Sequence, residues 1–150
     1  MSHTYTSILA HVVFSTQDRR PLIDPSLAER LHPYLGGIAR ENGFKTLGIG
    51  GVADHIHLLL SLPGATPIAK AVQFLKGDSS KWIHDTMKGR REFAWQDGYG
   101  AFSIGMSQID DTLRYIANQA EHHRQTTFQD EYRAFLTRHG IDIDERYVWG

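Results

Sequence analysis

The chain has no cysteine. That excludes disulfides, thiol nucleophiles, and zinc or iron–sulfur sites built on thiolates. No apolar run approaches the ~18–20 residues that a membrane span needs, and the longest lies around Leu58 to Leu60. Residues 1–6 lack a basic segment followed by an apolar block, so no secretory leader is expected, and a reducing cytoplasm is the expected compartment. An excess of one charge is missing too: Lys and Arg number 16 against 17 Asp and Glu, a net −1. The chain is therefore no generic polycation, and any nucleic-acid site must be a local patch. What is present is ordinary globular composition, 41% hydrophobic and 22% charged over 150 residues. That length suits one domain, 1–150, able to bury a core without disulfides or a structural metal. One residue type is abundant: there are nine histidines.

The apolar pattern predicts the order of elements. Ile8 to Phe14 reads as a buried strand. Asp24-Pro25 opens a helix with Leu27, Leu31 and Leu35 on one stripe; Pro33 and Gly36-Gly37 predict a kink in it, and Asn42-Gly43 ends it. Residues 45–52 form a Gly-rich strand, 55–62 a second strand of the same hairpin, and Thr66-Pro67 starts a helix to about Met87. A polar loop carrying Trp95 and Tyr99 leads to a strand over 101–108, with Phe102, Ile104 and Met106 on one face. Helices are expected over 110–124 and 128–139, then an extended tail anchored by Tyr147, Val148 and Trp149. The order β-α-β-β-α-β is the ferredoxin-like pattern, an α+β fold with a four-stranded antiparallel sheet, followed here by additional helices.

Two constellations carry chemistry. In His55-Ile56-His57 the histidines project from the same face of a strand, roughly 7 Å apart along the backbone, while Ile56, Leu58, Leu60 and Leu62 point into the core. Two such imidazoles can share a metal ion or can simply be surface residues, and spacing alone leaves both open. On the helix over 110–124, Tyr115, Asn118, Gln119 and His122 share one face, opposite Leu113, Ile116 and Ala120. A solvated polar stripe or a site-building face would both look like this. His122 and His123 point about 100° apart and do not readily face one ion, so structural or DNA-contact roles are expected of them. Tyr132, among Phe128, Phe135 and Leu136, reads as packing, and His11 as a satisfied sheet histidine.

Asp54-His-Ile-His-Leu-Leu, Trp95-Gln96-Asp97-Gly98-Tyr99-Gly100-Ala101-Phe102-Ser103, and Tyr115-Ile116-Ala117-Asn118-Gln119 with Glu121-His122-His123-Arg124 follow one another in order. Together they resemble the single-tyrosine HUH transposases of the insertion-sequence 200/605 group. The resemblance implies that His55, His57 and Gln119 hold a divalent metal, Mg²⁺ or Mn²⁺, and that Tyr115 is the nucleophile. It implies cleavage of single-stranded DNA through a 5′-phosphotyrosine link, rejoining by a second 3′-OH, recognition of hairpins at an element's ends, and a homodimer. Relatives with a second tyrosine one turn later fit less well, because Gln119 occupies that position. Two other readings stand beside this one: a domesticated relative that processes repeated genomic palindromes, and a non-catalytic single-strand nucleic-acid-binding protein. A metal-binding structural protein is a third.

Charge is uneven along the chain. Residues 65–95 carry Lys70, Lys76, Lys81, Lys88, Arg90 and Arg91 against Asp78, Asp85 and Glu92, whereas 109–150 is net negative. The second helix and its loop are therefore the expected phosphate-tracking surface, above all Lys70, Lys76, Lys81, Arg90 and Arg91, with Trp95, Tyr99 and Phe102 available to stack on bases.

Overall fold

The computed structural model describes residues 3–150, so Met1 and Ser2, part of the segment read above for a leader, lie outside the described residues. Four strands form one antiparallel sheet: β1 (Ile8–Ser15), β2 (Lys45–Val52), β3 (His55–Leu62) and β4 (Gly100–Ile104). Their spatial order is β2-β3-β1-β4. Helix α1 (Pro25–Glu41) links β1 to β2, and α2 (Ile68–Thr86) links β3 to β4. This is the expected ferredoxin-like arrangement. No described helix is long and apolar enough to cross a membrane.

Strand alternation gives the sheet two different faces. Ala10, Val12 and Phe14 of β1 join Ile56, Leu58, Leu60 and Leu62 of β3 under α1 and α2, with Leu27, Leu31, Leu35, Val72, Leu75 and Ile83 closing the core. Asp24 caps α1 by accepting from the Leu27 N–H at 2.8 Å. The helix runs on through Pro33 to Glu41 as a single element, so the expected interruption is absent. The opposite face carries His11, Val13, His55 and His57. It is covered by α3 (Ile109–Ala117), α4 (Gln119–His122) and α5 (Phe128–Arg138). A second apolar cluster of Val13, Phe102, Phe128, Tyr132, Phe135 and Leu136 fastens α5 there, with Val148 and Trp149 packed against it.

Three further details differ from the sequence expectation. The strand expected over 101–108 stops at Ile104, and Met106 lies exposed in a 3₁₀ turn rather than on the strand face. The helix expected over 110–124 breaks at Asn118, whose φ of −100° and ψ of 22° leave the helical region and separate α3 from α4. In the tail, Tyr147 is exposed and anchors nothing, unlike Val148 and Trp149.

Glycines in β2 set how closely α3 approaches. A Cβ on Gly48 would strike Leu113, and one on Gly50 would run into the backbone carbonyl of Ile116. Bare backbone here lets the helix carrying Tyr115 lie directly on the sheet edge. Gly50→Ala is expected to push α3 outward and destabilise the fold by about 1–3 kcal/mol, the usual range for overpacking. Thermal unfolding checks this, and an unchanged midpoint would refute the close-approach argument.

Candidate metal centre and tyrosine site

His55 and His57 are fully buried on the α3–α5 side of the sheet, so the surface-pair reading is excluded. Their Nε2 atoms converge on Glu131 of α5, at 3.4 Å for His55 and 3.0 Å for His57. His123 Nε2 lies 3.1 Å from the same carboxylate oxygen. Gln119 Oε1 lies 3.2 Å from His55 Nε2, while its amide N–H₂ donates to the Tyr115 carbonyl at 3.1 Å. The other Glu131 oxygen accepts the Tyr115 hydroxyl and faces His122 Nε2 at 3.2 Å. One carboxylate thus joins the histidine cluster to the tyrosine, all within one chain.

The histidines are oriented from behind. Asp54 Oδ1 is 2.7 Å from His55 Nδ1, His11 Nε2 is 2.8 Å from His57 Nδ1, and the Thr126 carbonyl is 2.9 Å from His123 Nδ1. Each ring is held by Nδ1 and presents Nε2 inward, the arrangement that outer partners impose on metal-ligating imidazoles. The donor atoms of His55, His57, His123 and Glu131 all lie within 4.8 Å of one another. At ligand distances of about 2.0–2.2 Å, neighbouring donors around one ion sit about 3.0–3.5 Å apart, and the Glu131 oxygen stands 3.4, 3.0 and 3.1 Å from the Nε2 atoms of His55, His57 and His123. The cluster therefore fits a divalent cation, with nitrogen donors suiting Mn²⁺ or later metals better than Mg²⁺.

Charge is tightly coupled at this centre. Burial opposes the charged form of His55, but hydrogen bonds to Asp54 and Glu131 outweigh it and lift its pKa to about 9. Burial, reinforced by His57, lowers His11 to about 3, and burial also lowers His57 against the pull of Glu131. Burial works against the Glu131 carboxylate, yet hydrogen bonds from His123, His55 and His57 hold it far below the usual carboxylate range. Tyr115 is pushed well above its ordinary value by burial first and by Glu131 second, so its hydroxyl rests neutral.

The expected residues divide into two groups. Tyr115, His55, His57 and Gln119 meet at one place. His123 meets them too, contrary to the expectation that both adjacent histidines play only structural or DNA-contact roles: the chain turns so that His123 faces His55 while His122 faces Tyr115. Glu131 and Asp54 were not expected there. Lys70, Lys76 and Lys81 lie on α2, across the sheet from this centre. Lys76 is half-buried, donates to the carbonyls of Gln96, Asp97 and Gly98, and has its pKa lowered by burial to about 8, so it holds a loop rather than offering a free cation. Lys81 pairs with Asp85 and Arg90 with Asp24, while Lys70 and Arg91 are exposed. Trp95 is buried, donates to Ser79 at 3.0 Å and packs on Phe14, and Phe102 is buried as well, so neither is a free stacking platform.

Comparison with known proteins identifies the family and the fold. Residues 4–119 match the family model described as "Transposase IS200 like". The chain belongs to the IS200-like transposase family. The transposase for insertion sequence element IS200 of Salmonella typhimurium is 27% identical over 128 residues, covering 81% of this chain and 82% of the relative. The ISDra2 transposase TnpA of Deinococcus radiodurans is 28% identical over 114 residues, covering 73% and 81%. A solved structure of a putative transposase from Deinococcus radiodurans R1 superposes with a TM-score of 0.59 at 24% identity, over 79% of this chain and 96% of that one. A REP-associated tyrosine transposase bound to a REP hairpin superposes at 0.57 with 16% identity, over 77% and 68%. These two show the shared fold. The family match of this IS200-like transposase ends at Gln119, so His122, His123 and Glu131 lie beyond it.

Two outcomes follow for the purified protein. Removing the acid behind His55, in Asp54→Ala, is expected to weaken Mn²⁺ or Zn²⁺ binding about tenfold or more, as loss of an outer partner does; calorimetric titration reads this, and equal affinities would contradict the oriented-ring argument. In EDTA, stability should peak near pH 6.5. His55, with its folded pKa raised to about 9, stabilises fully below its ordinary 6.5 and loses that contribution as pH rises through 9. His11, lowered to about 3, stabilises above 6.5 and loses that contribution as pH falls towards 3. His11→Gln should flatten the acid limb of a denaturant-monitored pH series; an acid limb as steep as the wild type's would count against it.

Proposed function

We propose that this IS200-like transposase cleaves and rejoins single-stranded DNA through a 5′-phosphotyrosine intermediate, with Tyr115 as the nucleophile. The observation that carries the reading is the Glu131 carboxylate, which accepts the Tyr115 hydroxyl on one oxygen and faces the Nε2 atoms of His57 and His123 on the other. A tyrosine with no chemistry to perform would not need to be tied to a buried histidine cluster. His55, His57 and Gln119, joined by His123 and Glu131, would hold the divalent cation. When bound, that cation supplies positive charge to the phosphoryl oxygens and favours the phenolate, which Tyr115 does not reach unaided near neutral pH.

The chain's own residues supply the rest. The Tyr115 oxygen attacks the phosphorus, the P–O3′ bond breaks, and the departing oxygen takes a proton to become the free 3′-OH. The tyrosine proton leaves towards His122, whose Nε2 lies 3.2 Å from the hydroxyl. Because the link keeps the phosphodiester's energy, a second 3′-OH can displace Tyr115 without another energy source. Single-stranded DNA bearing hairpins is the proposed partner. A homodimer is proposed as the working assembly, although every group in this site comes from one chain and none must be lent by a second copy.

Labelled hairpin-bearing single strands, including the gene's own flanks and scattered genomic palindromes, should yield a covalent adduct on a denaturing gel with Mn²⁺ or Mg²⁺. Tyr115→Phe and EDTA are each expected to abolish it. Adducts on the flanks indicate a mobile element and adducts on palindromes a domesticated one. Binding without any adduct would replace the enzyme with a single-strand binding protein.

A further inference from the structure

Tyr115 borders two hollows. Between β4, α3 and α5 opens a cavity of about 430 Å³. A second cavity of about 350 Å³ is bounded by Arg114, Asn118 and Glu121. Tyr115 and His122 line both.

The larger cavity is built beyond what the histidine cluster requires. Its wall is an aromatic ladder: Phe102 stacks on Phe135 at 5.0 Å with 16° between planes, and on His139 at 4.8 Å and 29°. Phe102 and Phe135 are buried, while His139 is the exposed rung. Arg138 lies 5.4 Å over the Phe135 ring and has no ion pair among the described residues. Asp111 and Asp130 also line the cavity, but each is paired with an arginine of its own helix, Arg114 and Arg133. That leaves Arg138 as the cation free to meet a phosphate.

We propose that this cavity receives one unpaired nucleotide adjoining the scissile phosphate, its base on the outer face of His139 and a phosphate towards Arg138. The inference rests on Tyr115 being the nucleophile. The volume lies within the range of small-ligand sites, and an exposed aromatic rung beside a lone cation is what a single-strand base and its phosphate require. The protein then reads a base at the cleavage point, apart from any hairpin it grips elsewhere.

The test uses ¹⁵N-labelled protein titrated with each of the four deoxynucleoside 5′-monophosphates, with inorganic phosphate and deoxyribose 5-phosphate as controls. Saturable amide shifts are expected at residues 102–104, 112 and 138–139 with at least one nucleotide, and not with either control. His139→Ala and Arg138→Glu, both at exposed positions, should each weaken that binding about tenfold, as loss of a stacking or phosphate partner does. Shifts that avoid the cavity, shifts matched by phosphate alone, or affinity unchanged in both variants would overturn the proposal. This readout is separate from the Tyr115 adduct: nucleotide binding without an adduct would sink the catalytic reading and leave a nucleotide site with no scissile phosphate beside it, and an adduct without nucleotide binding would sink the cavity proposal alone.

Discussion

The Glu131 carboxylate is the interaction on which the rest of this structure depends. A buried carboxylate is costly unless it is paired and fully hydrogen-bonded. Here it is surrounded by His55, His57, His122, His123 and the Tyr115 hydroxyl. The same contacts draw α5 onto the sheet and fix α3 and the segment after α4 around it. A neutral side chain at 131 would leave the Nε2 atoms of His55 and His57 converging with no carboxylate between them. The fold of the C-terminal third and the chemistry of the centre therefore share one group.

The sheet makes this possible because its two faces are specialised. On β3, one set of alternate residues is purely aliphatic and closes the core with α1 and α2. The other set begins with two histidines. Such a face can be buried only by elements that bring polar partners with them, and α5 brings one acid within an apolar stripe. Glycines in β2 complete the arrangement by removing the side chains that would hold α3 away. The position of the tyrosine is thus set by three separate features: bare backbone beneath α3, the break at Asn118, and the carboxylate beyond it.

Much of this was legible in the sequence. Strand alternation placed His55 and His57 together, the Asp24-Pro25 cap opened α1 where expected, and helical spacing put Tyr115 and Gln119 on one face. What was missed follows from physics that local patterns do not carry. Periodicity over 110–124 assumes an unbroken helix, but Asn118 leaves the helical region, and the turn after it rotates His123 towards His55. Lys76 counted as surface charge because composition cannot see three carbonyls gathered around it. Trp95 looked free for stacking because a loop tryptophan gives no sign of the Ser79 hydroxyl waiting in α2. Glu131 did leave a signal. Phe128, Glu131, Tyr132, Phe135 and Leu136 fall at i, i+3, i+4, i+7 and i+8, so the acid occupies a core position of an amphipathic helix. A charge there demands a buried partner, and the histidine-rich strand was the available one.

The same contacts hold the tyrosine of this centre in its neutral form. Burial and the adjacent Glu131 charge both favour the neutral phenol, and the hydroxyl spends its proton on that carboxylate. Glu131 in turn is held ionised by the histidines, which makes it a weak base in the resting state. Each group suppresses the reactivity of the next. A cation held among the Nε2 atoms would shift this balance, because its charge would compete for Glu131 and lower the cost of a phenolate beside it. The ring orientation imposed by Asp54, His11 and Thr126 means that little rearrangement of the imidazoles is needed for this to occur. On the proposed mechanism, metal dependence would reside in the electrostatics of the resting site, where one shared carboxylate both restrains Tyr115 and links it to the residues that would hold the cation.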